Sequence, residues 1–506
     1  MKAHNIGSTT QPSVGADARV QGIDDTGLDA GAVDDAQYLQ ELGYKQELKR
    51  ALGFFSSFGV QFTGIAISGG LFLTLGLGLT TAGPGMFWAW VLGGGLQMIV
   101  ALSIAELLSA YPLAGGAYQI VRRITRPVLG WQVGWWLIMA HIAAFSGEAI
   151  GLAPFIARWF GIKSLDTAGT LEWGIALILL ITAINLVGVK IAAIVNNIGV
   201  IAELLAMSSV IVILLFFVHH FQPLSFLSNT GGTQQHGGYL LPFLFALLVP
   251  AFIISGFDVN GSTGEETTNA ARTVPQSQMT ANIAAYLYGT LGIGVILLSI
   301  TNLPAAMGDS FPLIYVLKSS IGVFAANVFQ VLAIIALFVN MEILELTAAR
   351  VLWAQARDGQ MPFATRLRTL NRQQIPAITT ILSAVVAILF ALYSPFLNVL
   401  LAVTAVAWAA GYAVTVAVGI MAKMRGTLPA HPWHYGRWWP LIDGVALVWS
   451  LVLCFVLIYQ NPQQVGLGFL GVVIAGLLIY YFAIPKSRRG IIVAPSDTPK
   501  TTPVTS

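Results

Sequence analysis

Apolar positions in this chain run in long uninterrupted blocks, and the polar positions gather between them. Twelve blocks can be drawn, at about 53–80, 85–110, 128–157, 171–188, 196–218, 241–263, 280–302, 321–346, 376–394, 396–422, 438–460 and 464–485. A helix rises about 1.5 Å per residue, so roughly 20 apolar residues cross a hydrocarbon core of about 30 Å. The blocks fit that length, and the pattern predicts an all-α integral membrane protein with twelve transmembrane helices. Residues 1–36 are rich in Gly, Ala, Thr and Asp without apolar periodicity and are expected to form a disordered tail. Residues 37–52 are expected to be a short juxtamembrane helix at the membrane surface, and 486–506 a second polar tail.

Composition agrees with this reading. The 506 residues are 56% hydrophobic and only 9% charged, where soluble proteins carry about 25% charged residues. Mean hydropathy is +0.77. The formal net charge of +3 includes no basic block of the kind that binds nucleic acid. The single cysteine, Cys454, excludes a disulfide framework and a multi-cysteine metal site. The polar first 50 residues lack the short apolar core of a cleavable signal peptide.

Charge placement sets the expected orientation. With twelve spans, 22 of the 25 Lys and Arg residues fall on the side of the termini. Only Arg158, Lys163 and Lys318 fall on the other. Positive residues stay in the cytoplasm, so both termini are expected there, in a plasma (cell inner) membrane.

Two spans carry matching weak points. FTGIAISGGLF at 62–72 and FIISGFDVNGS at 252–262 share Ile-Ser-Gly at an offset of 187 residues. Glycine disfavours helix by about 1 kcal/mol relative to alanine. Glycine-interrupted segments at corresponding places of two halves point to a transporter binding site. Close helix packing by small residues is the ordinary alternative. On the transporter reading, 53–218 (spans one to five) and 241–422 (spans six to ten) are inverted repeats, and 438–485 adds spans eleven and twelve.

Several segments resemble amino acid permeases of the amino acid–choline transporter type, within the amino acid–polyamine–organocation superfamily. They are LGYKQELKRALGFF at 42–55, AGPGMFWAW at 82–90, AELLSAYPLAGGAY at 105–118, SGFDVNGSTGEETTNAARTVPQS at 255–277 and AARVLWAQARDGQMP at 348–362. The resemblance runs from about 40 to 480. It implies a leucine-transporter-like fold with 5+5 inverted repeats, helices 1 and 6 broken, and alternating access. It also implies a small-molecule substrate such as an amino acid, an amine, a polyamine or a choline-like cation. Glu148, Glu342 and Glu345 depart from the family's usual small or neutral residues.

The break residues are the expected substrate site. Free amides of Ile67, Ser68, Gly69 and Gly70 open a helix and would meet a carboxylate. The resemblance places the substrate amine near the carbonyls of Ser255, Gly256 and Phe257. Asp258 follows at a helix end that favours a cation. Phe257 is either a lid over the substrate or ordinary core.

Ionisable residues inside spans are functional candidates by default. Glu148, Glu203, Glu342 and His141 are candidates for proton coupling or amine binding. His141 and Glu148 lie seven apart on one helix face and are read either as a proton-linked pair or as a satisfied polar pair. Glu345 shares a face with Glu342 and either acts with it or pairs with cytoplasmic arginines. Glu106 is read as a structural anchor or inner-gate residue. Glu265, Glu266 and Arg272 are expected to pair with Arg350 or Arg357 at an inner gate, or else to serve loop folding. In HPWHYGRWW at 431–439, and at His219 and His220, interfacial belts are expected rather than metal ligands.

The lipid bilayer, a small-molecule substrate and a proton are the expected partners, with no cofactor, metal or nucleic acid. No Walker motif, H-E-x-x-H or G-x-S-x-G occurs, so ATP-driven transport and membrane enzymology are not expected. The leading function is a proton-coupled secondary transporter importing an amino acid or related amine. An exchanger, or a nutrient receptor that binds without transporting, is the alternative.

Overall fold

The computed structural model describes residues 50–489 except 163, 188, 219–220, 235–237, 310 and 394–396, together with 35, 39–40, 42–44 and 48. The tails at 1–36 and 486–506 lie almost wholly outside the described residues, as do His219, His220 and Lys163.

The chain is helical, and among the described residues the only β pairing is one isolated bridge between Leu52 and Thr267. Nine helical runs are long and apolar enough to cross a membrane among the described residues. The first, Phe54–Ala110, is 57 residues long. At about 1.5 Å per residue it would reach nearly three times the hydrocarbon thickness, and it is interrupted twice. Helix α1 (Phe54–Ile65) ends at Ala66, which sits at φ 42, and α2 (Ile67–Ala82) starts on the next residue. The chain then turns through Gly83-Pro84-Gly85 into α3 (Met86–Ala110). A Cβ on Gly83 would stand 2.4 Å from the backbone of Thr230, so this turn needs glycine.

After the short α4 (Ala117–Ile124) come α5 (Pro127–Trp159), α6 (Thr167–Val187) and α7 (Val189–Phe217). The next apolar segment is α8 (Leu240–Ala246) with α9 (Leu248–Ile253). Its helix stops at Ile253. Gly256 takes φ 69, and a 3-10 segment follows from Asn260 to Glu266. The remaining helices are α10 (Ala270–Leu298), α11 (Leu303–Gly308), α12 (Pro312–Arg357), α13 (Ala364–Leu367), α14 (Ala377–Tyr393), α15 (Leu397–Met424), α16 (Trp439–Gln460) and α17 (Leu467–Leu478).

Burial sorts these helices. The most apolar windows of α5 and α15 are 89% buried, against 17% for the run containing α17. The first two form the centre. Leu179, Phe216, Leu389, Val448 and Phe482 are exposed on the outer helices. An exposed apolar belt of that kind is what a lipid solvent requires, and the fold is that of a multi-pass membrane protein.

Two helices run well beyond the expected boundaries. Helix α10 begins ten residues before the expected 280, and α12 runs eleven residues past 346. The α10 extension is polar and is held by hydrogen bonds, with Ser277 bonded to Ser57 and Asn260. The α12 extension buries Val351, Leu352 and Trp353 and carries Arg350 and Arg357, which pair with Glu266 and Glu265. The segment 37–52 also differs. Leu39, Tyr44 and Leu48 are buried at 2%, 6% and 7% exposure against Leu113, Ala114 and Trp353. These residues pack on the protein rather than lie free on a bilayer surface.

Candidate functional site

The interrupted helices meet at the centre. Ala66, in the left-handed region, ends α1 and opens α2, so the first amides of α2 emerge among buried residues. The Ser68 amide is already in use. Glu203 of α7 accepts from the Ser68 amide at 2.6 Å and from the Ser68 hydroxyl at 2.5 Å. A carboxylate at a helix N-terminus is favoured by the aligned peptide dipoles. In this structure an internal carboxylate holds the Ser68 amide, one of those expected to meet a substrate carboxylate. Gly69 and Gly70 admit their neighbours closely. A Cβ on Gly69 would lie 2.5 Å from Leu337, and one on Gly70 2.7 Å from Ile253.

The second break is tied to the first. Gln61 of α1 donates to the Gly256 carbonyl at 3.1 Å and accepts from the Asn260 amide at 3.4 Å. Gln97 of α3 donates to the Ser255 hydroxyl, and Trp449 of α16 donates to Gln97. Gly256 thus spends its carbonyl on Gln61, where the resemblance had put a substrate amine. Tyr412 of α15 completes the break: its hydroxyl donates to Asp258 Oδ1 at 2.7 Å and accepts from the Phe257 amide at 3.0 Å. Phe257 is fully buried, with its ring 5.0 Å from that of Tyr412. Asp258 Oδ2 has no hydrogen-bond partner among the described residues. Gly116, at φ +48, lets the LAGG loop approach Asp258, where a Cβ would stand 3.2 Å away.

An aromatic row walls the same region. His141 lies 5.4 Å from Trp408, and Phe252 lies 6.3 Å from Trp408, measured between ring centres. His141 Nδ1 is within 2.7 Å of the Leu137 carbonyl, while Nε2 has no partner among the described residues. His141 and Glu148 do not pair. Seven helical residues separate them by about 10 Å of rise, beyond any hydrogen bond. Glu148 Oε2 is also without a partner among the described residues.

The α12 acids part company. Glu345 accepts from Thr182 at 2.6 Å and Asn185 at 2.7 Å, not from an arginine. Glu342 is fully buried, and neither of its oxygens has a partner among the described residues.

Two side-chain clusters flank the central region. At one end Phe72, Phe155 and Phe311 form a row, with ring centres 4.0 and 4.3 Å apart, and Arg158 lies over Phe311. At the other end the cluster is ionic. Arg350 holds Glu266 through two bonds at 2.6 and 3.1 Å, and Arg357 holds Glu265 at 2.8 and 2.9 Å. Asp358 receives Tyr44, Tyr118 and Gln119 at 2.9 Å each, and Arg122 as an ion pair. Burial, and then the charge of Asp358, pushes the Tyr44 phenol above its ordinary range and keeps it a donor. Arg272 is exposed on α10 and joins no ion pair among the described residues. The ion pairs expected of Glu265 and Glu266 form without it.

Sequence reasoning missed a further cluster. Lys423, counted as a loop lysine, is buried at the end of α15 and bridges Glu106 at 2.6 Å and Asp443 at 2.7 Å. His431 Nε2 lies 3.5 Å from the other oxygen of Glu106. Asp443 falls within the eleventh apolar block and was a signal available in the sequence. Glu106 is thus joined to Lys423 of α15 and, through it, to Asp443 of α16. No group of three or more His, Cys, Asp or Glu residues suited to a metal occurs among the described residues.

Known proteins supply the comparison. The family model for amino acid permeases matches residues 52–484. An amino-acid permease of Schizosaccharomyces pombe is 26% identical, with 90% of this chain and 86% of the relative covered. Amino-acid permease BAT1 of Arabidopsis thaliana is 25% identical, covering 84% of this chain and 88% of that protein. The branched-chain amino acid permease BcaP of Bacillus subtilis is 25% identical, covering 88% and 95%.

Proposed function

Because the chain belongs to the amino acid permease family, we propose that it is a proton-coupled secondary transporter that imports a neutral amino acid or related amine across the plasma membrane by alternating access. In this reading the chain crosses twelve times with both termini in the cytoplasm. The 57-residue first run counts as two crossings, and the shorter apolar helices Leu240–Ile253 and Ala377–Tyr393 count as one each. The breaks at Ala66 and Ile254–Gly256 are the corresponding interruptions of two inverted repeats.

One observation carries the coupling: the Glu203 carboxylate sits on the Ser68 amide and hydroxyl. An ionised carboxylate accepts both bonds strongly, and a protonated one accepts them weakly. Protonation of Glu203 would therefore release the α2 N-terminus to the carboxylate of an arriving amino acid. Proton and substrate then favour each other's binding, which is the thermodynamic condition for symport. Asp258 Oδ2 and the carbonyls of the second break would take the amine. Phe252, Phe257, Trp408 and Tyr412 offer the side chain an aromatic surround. BcaP is named for branched-chain amino acids, and such side chains suit that surround. Glu148, Glu342 and His141 stand as further candidates for the proton or the amine.

The experiment is uptake into proteoliposomes with and without an inward proton gradient. The panel holds labelled neutral, acidic and basic amino acids, 4-aminobutyrate, choline and putrescine. Gradient-driven accumulation of a neutral amino acid supports the proposal. Uptake only with internal solute indicates an exchanger. Silence in both conditions, with folded protein, sinks transport and leaves a receptor.

A further inference from the structure

Away from the two breaks, the end of the molecule that carries the aromatic row holds a cavity of ≈430 Å3. Arg158 and Lys318 line it together. They are two of the three basic residues that the sequence sets apart from the side of the termini. Arg158 stands in the last turn of α5. Gly322, at φ 83, divides α12. Lys318 lies on the first piece, Asn327 and Gln330 lie on the second, and all three border the same space. Among the described residues, no Asp or Glu lines the cavity. Neither cation joins an ion pair among them. Arg158 instead lies 4.4 Å from the centre of the Phe311 ring. Asp309, the acid nearest in sequence to Phe311, accepts the Phe311 amide at 2.7 Å and lines a separate cavity that shares Phe155 and Phe311 as a wall.

The chemistry of the lining selects the occupant. Two like charges that share a cavity repel, and an anion between them turns repulsion into attraction. The amides of Asn327 and Gln330 add neutral donors. Small-molecule pockets begin at about 300 Å3, so the cavity takes a polyatomic anion rather than a single ion. Its surroundings specify the rest. Trp159 on its rim is 58% exposed, and Phe324 is 84% exposed. Phe324 and Asn327 are three apart and share a face of α12. The polar space therefore adjoins the apolar belt that faces lipid, at the depth where tryptophan marks the interface. A phosphate carried on acyl chains meets both demands, and basic pockets between membrane helices hold anionic headgroups. A headgroup with its own amine would bring a third cation to the two already there.

We propose that the cavity of Arg158, Lys318, Asn327 and Gln330 binds the headgroup of an anionic phospholipid, whose chains lie along the exposed apolar face of α12. On the topology proposed above this lipid belongs to the outer leaflet. The binding does not depend on what is transported. The headgroup ties α5 to both pieces of α12. Because Arg158 rests on Phe311, it also holds the aromatic row together.

The test measures binding, so that it stands apart from uptake. Melting of the purified full-length protein in a neutral detergent is followed at fixed pH and ionic strength. Dioleoylphosphatidylglycerol, dioleoylphosphatidylcholine or water-soluble glycerol phosphate is titrated in. A saturable rise in melting temperature is expected with phosphatidylglycerol and not with the other two. Arg158→Gln combined with Lys318→Gln should raise the half-saturating concentration on the order of 10-fold. Arg437→Gln, which removes an exposed arginine outside the cavity, should keep the wild-type response. Equal responses to the two lipids overturn the proposal. So does an undiminished response in the double variant, or an equal loss in Arg437→Gln. A response to glycerol phosphate that matches the lipid replaces the lipid by a soluble anion and overturns it too. Should the double variant fail to fold, Lys318→Gln alone decides, because it leaves Arg158 on Phe311: unchanged affinity there overturns the proposal.

Discussion

Glu203 grips Ser68 by two bonds, one to the backbone amide at 2.6 Å and one to the hydroxyl at 2.5 Å. The residues are 135 positions apart, yet together they form the cap of α2. Glutamine at 203 keeps an acceptor for the amide and removes the titrating group. We expect Glu203→Gln to bind substrate but to lose gradient-driven accumulation by about 10-fold or more, within the range for a positioned proton-transfer group. Counterflow in proteoliposomes separates the two. Accumulation at the wild-type level would remove Glu203 from the coupling.

Tyr412 is the next test, because one hydroxyl serves two partners at the second break. Tyr412→Phe leaves the Phe257 amide and Asp258 Oδ1 without it. Hydrogen bonds to charged groups contribute about 1.5–3 kcal/mol. A loss of about 2 kcal/mol should appear as lower melting temperature together with weaker substrate affinity. If melting falls and affinity does not, Tyr412 supports the fold alone.

How much of this was legible in the sequence follows from distance along the chain. The apolar blocks, the Ile-Ser-Gly breaks and the acids at 203, 258 and 342 are local features. The LAGG and ARDGQMP loops also stood out as segments. What they touch did not. Tyr412 sits in AAGYAV and reads as core, and only the fold brings it to Asp258. Asp358 was inside a quoted motif, but its donors come from residues 44, 118, 119 and 122. Lys423 looked like a loop lysine because periodicity cannot reveal two acids waiting 317 and 20 residues away.

Asp358 yields the third prediction. It is 4% exposed at the side chain and paired with Arg122. Removing one member of a buried ion pair costs about 3–5 kcal/mol. Asp358→Asn should therefore favour the conformation in which the ionic closure has parted. A Val60→Cys reporter in a Cys454→Ser background gives the readout. Labelling by a membrane-impermeant maleimide should rise several-fold in the Asp358→Asn protein. Equal labelling would mean that the network is structural rather than a gate.

His431 supplies a pH dependence. Burial alone would lower its pKa, but Glu106 overrides this and the net shift is upward. A raised folded-state pKa means that the protonated form favours the fold. The contribution is complete below the unfolded value of about 6.5 and disappears as pH rises through the higher folded value. Melting temperature should fall across that window in the wild type, and more shallowly in His431→Gln. Parallel profiles would show that His431 contributes nothing to it.

The two closures are made of different matter. Phe72, Phe155 and Phe311 hold one end by apolar contact, and Asp358, Glu265 and Glu266 hold the other by charge. Apolar association weakens on cooling, whereas ion pairs weaken as salt screens them, least where they are most buried. The two clusters therefore answer to separate handles: chilling slackens the aromatic one, and added salt slackens the ionic one only a little, because its members are buried. On the transport reading proposed above, the resting posture of the carrier becomes a property of its surroundings as well as of its cargo.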